Sequence, residues 1–267
     1  MCTVVTLLRP GHPWPLLLAA NRDERVDRAW DKPAAWWPDR PGIVGGRDRD
    51  AGGTWMALGP AGVIACVLNR PGSLGPAAGK RSRGELPLLA AEAGDAAAAA
   101  DRIARLDAGD WRSFNLIVAD RRAVIFLRGE GTGHPEAMPL PPGLHMVTAL
   151  DPDDPASPRT ARHLPKFRAA DIPDPETGDW TAWQTLLGDR TGGRGEALNV
   201  PWTSGFGTVC SSLIALGADG ATTWRFSAGP PDRQPFRPVA LPHACAGQPP
   251  QASPAPVGHG HPVPRLL

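Results

Sequence analysis

The stretch "CTVVTLLRPGHPWPLLLAANRDE", residues 2–24, holds two apolar runs of β-forming residues around a segment rich in proline and glycine. Residues 2–8 and 14–20 each read as a strand, and "RPGHP" at 9–13 reads as the turn between them. Two prolines and a glycine end one extended segment before the next begins. The runs pair as an antiparallel hairpin. A turn at 9–13 gives partners whose numbers sum to 22, which places Cys2 opposite Ala20 and beside Asn21. The polar stretch Asn21, Arg22, Asp23 and Glu24 then emerges next to the start of the chain.

The same pattern continues outward. Residues 54–58 and 62–69 form a second hairpin turning on "GPAG", with Asn69 at its end. "FNLIVADRRAVIFLRG", which contains Asn115, and "FGTVCSSLIALGADGATTWRFS" are further hairpins, and "LHMVTAL" is another strand. Helices come in blocks. Ser82 and Glu85 stand at capping-box spacing before an Ala- and Leu-rich region that reaches about residue 107 and is interrupted near Gly94. Ser157 followed by Pro158 reads as the N-cap and first residue of a helix in "SPRTARHLPKF", and "GDWTAWQTLLGD" as one more. Hairpins in runs and helices in blocks, without strand–helix alternation, predict antiparallel sheets covered by helices in an α+β layered domain. That domain is expected over residues 1–240, followed by a mobile Pro-, Gly- and His-rich tail over 241–267.

Composition narrows the function. With 28 Lys and Arg against 27 Asp and Glu, the chain offers no polyanion-binding charge, so no nucleic-acid partner is expected. The run "PLLLAA" is too short to span a membrane or form a signal core, and charges follow it at once. Four cysteines at 2, 66, 210 and 245 lack metal or disulfide spacing, and seven histidines are scattered, so no metal site is expected and a reduced cytoplasm is. "GKRSRGE" at 79–85 is basic and flanked by glycine; it reads as a solvated loop leading into a helix, with phosphate contact as the alternative.

The chemistry gathers at the first residue of the hairpin. Methionine is normally removed before a residue as small as cysteine, which would leave Cys2 with a free α-amine. One residue then holds a nucleophile and its base, since a thiol near ~8.5 can give its proton to an amine near ~7.7–8.0. Asp23 can hold that amine, Asn69 can donate to a developing oxyanion, and Arg22 can lower the thiol pKa or clamp a substrate carboxylate. The same residues serve equally as turn caps, with Arg22 and Glu24 as a rim ion pair. Arg47 and Asp48 lie in the glycine-rich "GGRDRDAGG", read as a loop close to that rim. Trp55, Trp36 and Trp37 either wall a ligand site or pack in the core, and Cys66 and Cys210 are expected core residues.

"MCTVV" with "AANRDE", then "GRDRDAGGTWMAL", "GVIACVLNRPGSLG" and "FNLIVAD" together resemble the NRDE family, also called the transport and Golgi organisation protein 2 family, across most of residues 1–240. More distantly, Cys2 and "GVIACVLNRPG" resemble the choloylglycine hydrolase and penicillin V acylase group of N-terminal nucleophile hydrolases. That resemblance implies an αββα four-layer sandwich with Cys2 as nucleophile, Asn69 in the oxyanion hole and Asp23 on the cysteine amine. The arginine expected three residues before that aspartate is replaced by Ala20. A second asparagine meets Thr148 and Ala149, and a late arginine meets Ser211 or Ser212. The implied activity is hydrolysis of a non-peptide amide of a small molecule, with no cofactor. The first family implies another role, carriage of haem or an acyl ligand without cleavage, with Cys2, His145 or His163 as haem ligands.

Overall fold

The computed structural model of the chain describes residues 2–242. Strands β1 (Thr3–Leu8) and β2 (Leu16–Arg25) form the expected hairpin. Its register differs from the one read off the turn. Leu8 faces Leu16 and Thr3 faces Asn21, so partners sum to 24. The turn is longer: Arg9 N donates to the Pro15 carbonyl at 2.7 Å in the same register, and inside the turn Trp14 N donates to His12 Nδ1 at 3.0 Å. A slip of two leaves every side chain on its original face. Val4, Leu8, Leu16, Leu18 and Ala20 therefore share one face, and Val5, Leu7, Leu17 and Ala19 the other.

Strands β3 (Trp30–Ala34), β4 (Val44–Asp48), β5 (Met56–Leu58), β6 (Ile64–Asn69), β7 (Phe114–Ala119), β8 (Val124–Gly129) and β9 (Glu136–Leu140) are successive neighbours in a seven-stranded antiparallel sheet. Strands β10 (Gly143–Val147), β11 (Phe206–Leu216), β12 (Thr222–Ser227) and β13 (Arg237–Pro238) join the first hairpin in a six-stranded sheet of order β10-β1-β2-β11-β12-β13. Leu16, Leu18, Ile64, Ile117, Phe126 and Ile214 pack between the sheets. Helices α1 (Glu85–Ala91) and α2 (Ala96–Ala104) cover the outer face of the larger sheet, while α3 (Pro158–Ala169) and α4 (Thr181–Leu187) cover that of the smaller one. The layers run αββα, as expected. Each fully buried Leu or Phe in them contributes roughly 2 kcal/mol.

Two local readings change. "GGRD" at 45–48 is strand, not loop: Arg47 and Asp48 end β4, and the turn follows them. Its glycines serve close packing, because a Cβ on Gly46 would lie 2.2 Å from the Trp55 ring and one on Gly45 2.7 Å from the Met56 carbonyl. The Ser82–Glu85 capping box does not form. Gly84 is the N-cap, and Glu85 pairs with Arg81 instead. The break near Gly94 is present, with Asp95 capping α2 through Ala98 N. Ser157 caps α3 by accepting from Thr160 N, with Pro158 as its first residue.

Candidate active site

Strand alternation sorts the residues after the first hairpin. In β2 it sends Arg22 toward the space between the sheets and Asp23 toward the helix layer. A bulge in β11 does the same across the ladder: Thr208 faces Asp23, and after the irregularity Cys210 faces Arg22. Cys2, just before β1, packs against the inter-sheet core, and its Sγ donates to the Asp23 carbonyl at 3.7 Å. Burial pushes the thiol above its ordinary pKa, and the Asp23 charge adds to this. The bond to the Asp23 carbonyl and the Arg22 charge act in the opposite direction.

The Asp23 carboxylate is fixed from behind. Arg159, on α3, donates from Nη1 to Asp23 Oδ2 at 2.9 Å and to Thr3 Oγ1 at 3.1 Å. Thr208 Oγ1 donates to Asp23 Oδ1 at 2.6 Å and itself accepts from Val200 N at 2.8 Å. These contacts hold both oxygens of the carboxylate.

Arg22 lies flat on Trp55, its guanidinium carbon 4.2 Å from the ring centre. Its Nη2 is 3.5 Å from Glu24 and 3.7 Å from Asp48, and Asp48 is shared with Arg28 at 2.6 Å. Arg22 Nη1 is buried and has no hydrogen-bond partner. Outside these groups a cleft of about 320 Å³ opens. Cys2, Arg22, Glu24, Asp48, Trp55 and Asn69 line one side of it, and residues 74–77 and 80–84 with Arg112 line the other. Inward, past Cys2, a cavity of about 20 Å³ is bounded by Val4, Ala20, Cys66, Leu68 and Cys210.

Cys2, Arg22, Glu24, Trp55 and Asn69 thus meet at one cleft, with Asp23 beside them. Other candidates lie elsewhere. Asn21 is buried, its amide donating to the Leu187 and Leu198 carbonyls at 2.9 and 3.0 Å and its oxygen accepting from Ser211. Arg47 pairs with Asp31 at 2.7 Å and stacks on Trp36, away from the cleft lining. Asn115 bridges β7 to the Thr148 and Leu150 carbonyls and accepts from Arg70. Trp37 donates to the Gly52 carbonyl. Cys66 and Cys210 are buried, and burial raises both thiols strongly. Where further catalytic residues were expected, Thr148 bonds Ser157 and Ser212 accepts from Trp224. His145 is held by Asp153 and the Pro141 carbonyl, and His163 by the Glu196 carbonyl. Among the described residues, no group of three or more His, Cys, Asp or Glu is placed to hold a metal ion, and no helix is long and apolar enough to cross a membrane. Met1 and the predicted tail from 243 onward, including "HGH" at 259–261, lie outside the described residues.

Arg159 is the site residue that sequence reasoning missed. One signal was present: Arg159, His163 and Phe167 recur every four residues and form the buried stripe of α3, so a charge sits on an apolar face. Such a charge needs a buried partner.

Comparison with known proteins agrees with this architecture. Among solved structures, a Caenorhabditis elegans N-acylethanolamine-hydrolyzing acid amidase ortholog is similar with a TM-score of 0.51 at 13% identity, over 80% of this chain and 92% of that one. The C2A mutant of the conjugated bile acid hydrolase from Clostridium perfringens gives 0.48 at 12% identity, over 91% and 97%. The likeness to the acid amidase ortholog is one of fold, the αββα layering described above. No curated protein matches by sequence. A family model described as Transport and Golgi organisation 2 matches residues 1–171, and the chain belongs to that family.

Proposed function

We propose that the protein is a cysteine-dependent amidohydrolase acting on a small molecule in the cytoplasm, with Cys2 as nucleophile once Met1 is removed. The observation that carries this reading is the convergence on one cleft of the Cys2 thiol, the Arg22 guanidinium and Asn69, with the Asp23 carboxylate fixed by Arg159 and Thr208 beside them. The Cys2 α-amine takes the thiol proton, and the thiolate attacks the amide carbon. Asn69 donates to the oxyanion that forms. The C–N bond then breaks, the leaving amine carries off the proton, and water hydrolyses the thioester to return the thiol. Asp23 orients the α-amine. Arg22 supplies the positive charge beside the thiol that Ala20, three residues before Asp23, does not.

Intact mass before and after a small thiol-reactive electrophile tests this. A mature chain lacking Met1, labelled at Cys2 far faster than at Cys66 or Cys210, is the expected result. Retention of Met1, or a Cys2 with the reactivity of an ordinary thiol, removes the hydrolase reading.

A second reading has its own support, since burial holds the Cys2 thiol above its ordinary range and so favours the protonated, unreactive form. In this reading the cleft carries a ligand, haem or an acyl compound, without cleaving it. With His145 held at both ring nitrogens and His163 at Nε2, Cys2, once deprotonated, would be the cleft residue to hold a haem iron. A haem titration that leaves the Soret band unchanged at stoichiometric protein counts against the haem form.

A further inference from the structure

One wall of the Cys2 cleft carries cations that no carboxylate among the described residues contacts. Lys80, Arg83 and Arg112 line it, and among the described residues none has a carboxylate within ion-pair distance. They are held by backbone carbonyls instead. Lys80 donates to Gly109, Arg83 Nη1 to Ser73 at 2.7 Å and Ser113 at 3.1 Å, and Arg112 to Gly72 at 2.5 Å and Leu74 at 2.6 Å. Carbonyl dipoles fix these cations in place but do not cancel them. The cost is visible at Arg83, whose pKa falls to about 10 through burial and the neighbouring Arg112 charge.

The facing wall contributes an independent feature. Arg22, with a side chain only 5% exposed, lines the same cleft and keeps Nη1 buried without a partner. A buried unpaired donor of a cation is costly unless an acceptor completes it. The acids at the base of the cleft do not supply one, because Glu24 and Asp48 meet Nη2 of Arg22 and the side chain of Arg28.

Size limits what fits. Behind Cys2 the space of about 20 Å³ admits a group of one or two atoms. The open cleft, about 320 Å³, is at the lower end of small-molecule sites. A long acyl chain has no room behind the thiol.

From these observations we infer that the cleft takes a compact, carboxylate-bearing amide, its acid group against Lys80, Arg83 and Arg112 and its amide carbonyl between Cys2 and Arg22. This rests on the amidohydrolase reading for the reaction, while the preference for a carboxylate stands on the cleft wall alone. The basic "GKRSRGE" segment becomes the specificity wall of the site.

Iodoacetate and iodoacetamide differ in charge but hardly in size, and both alkylate thiols. The rate ratio at Cys2, divided by the same ratio for free glutathione, reports the cleft's charge preference with intrinsic reactivity removed. A ratio favouring iodoacetate by about ten-fold, collapsing in high salt and reduced in Lys80→Gln, is expected for a fixed cationic wall. A ratio of one or less overturns the inference. Calorimetry on the Cys2→Ala protein repeats the question without the thiol: N-acetylglycine should bind about ten-fold more tightly than N-acetylglycinamide, and equal binding overturns it. Tighter binding of the acid by a protein that cleaves no amide would remove the hydrolase reading and leave the anion site. Cleavage of neutral amides with no charge preference would do the reverse.

Discussion

Asp23 and Arg159 meet at 2.9 Å with 0% and 1% of their side chains exposed, joining β2 to α3 across 136 residues of sequence. Water is excluded from the pair, so removal of either member takes a buried ion-pair partner from the other. Arg159→Met should destabilise the fold by about 3–5 kcal/mol in urea unfolding. The double replacement Asp23→Leu with Arg159→Met should cost clearly less than the two single changes added together. Additive costs would mean that the two residues act independently.

Arg22 lies beside the Cys2 thiol and pulls its pKa down against burial. Arg22→Met removes that charge while keeping an apolar stem on Trp55. The pH profile of Cys2 alkylation should move upward, slowing labelling at neutral pH. An unmoved profile would separate Arg22 from the thiol's chemistry.

Gly46 lies under Trp55, where a Cβ would come within 2.2 Å of the indole ring. Gly46→Ala should lower stability by about 1–3 kcal/mol and displace the ring on which Arg22 stacks. The stability loss is read from thermal unfolding. A reduced preference for iodoacetate in the alkylation assay would show that the displacement reaches the cleft, and unchanged unfolding would show that the ring has room to yield.

His145 has its pKa raised, first by its hydrogen bond to Asp153 and then by the Pro141 carbonyl, against burial and the Arg168 charge. The folded chain therefore binds this proton more tightly than the unfolded chain does. The resulting stability is complete below the ordinary histidine pKa of about 6.5 and is lost as pH rises through the higher folded value. The stability difference between the parent and His145→Gln should accordingly be larger near pH 5.5 than near pH 8. A difference independent of pH would mean that the pair contributes by geometry, not charge.

Local sequence determined the elements it could express within a few residues. Apolar runs broken by Pro and Gly produced the first hairpin, Ser157 and Pro158 began α3, and the polar end of β2 placed Arg22 and Asp23 beside Cys2. Even the mistaken register preserved the faces, because side chains in a strand alternate with a period of two. Strand β4 escaped notice because glycine marks turns in sequence, whereas Gly45 and Gly46 are small to admit residues from elsewhere in the fold. Tertiary structure alone decided the partners: Arg159 and Thr208 reach Asp23 from 136 and 185 residues away, while the loop before α1 brings Lys80 and Arg83, and the segment before β7 brings Arg112, to the cleft that Cys2 lines. No local period encodes such contacts, since they depend on which layers stack and on the side-chain directions that stacking imposes.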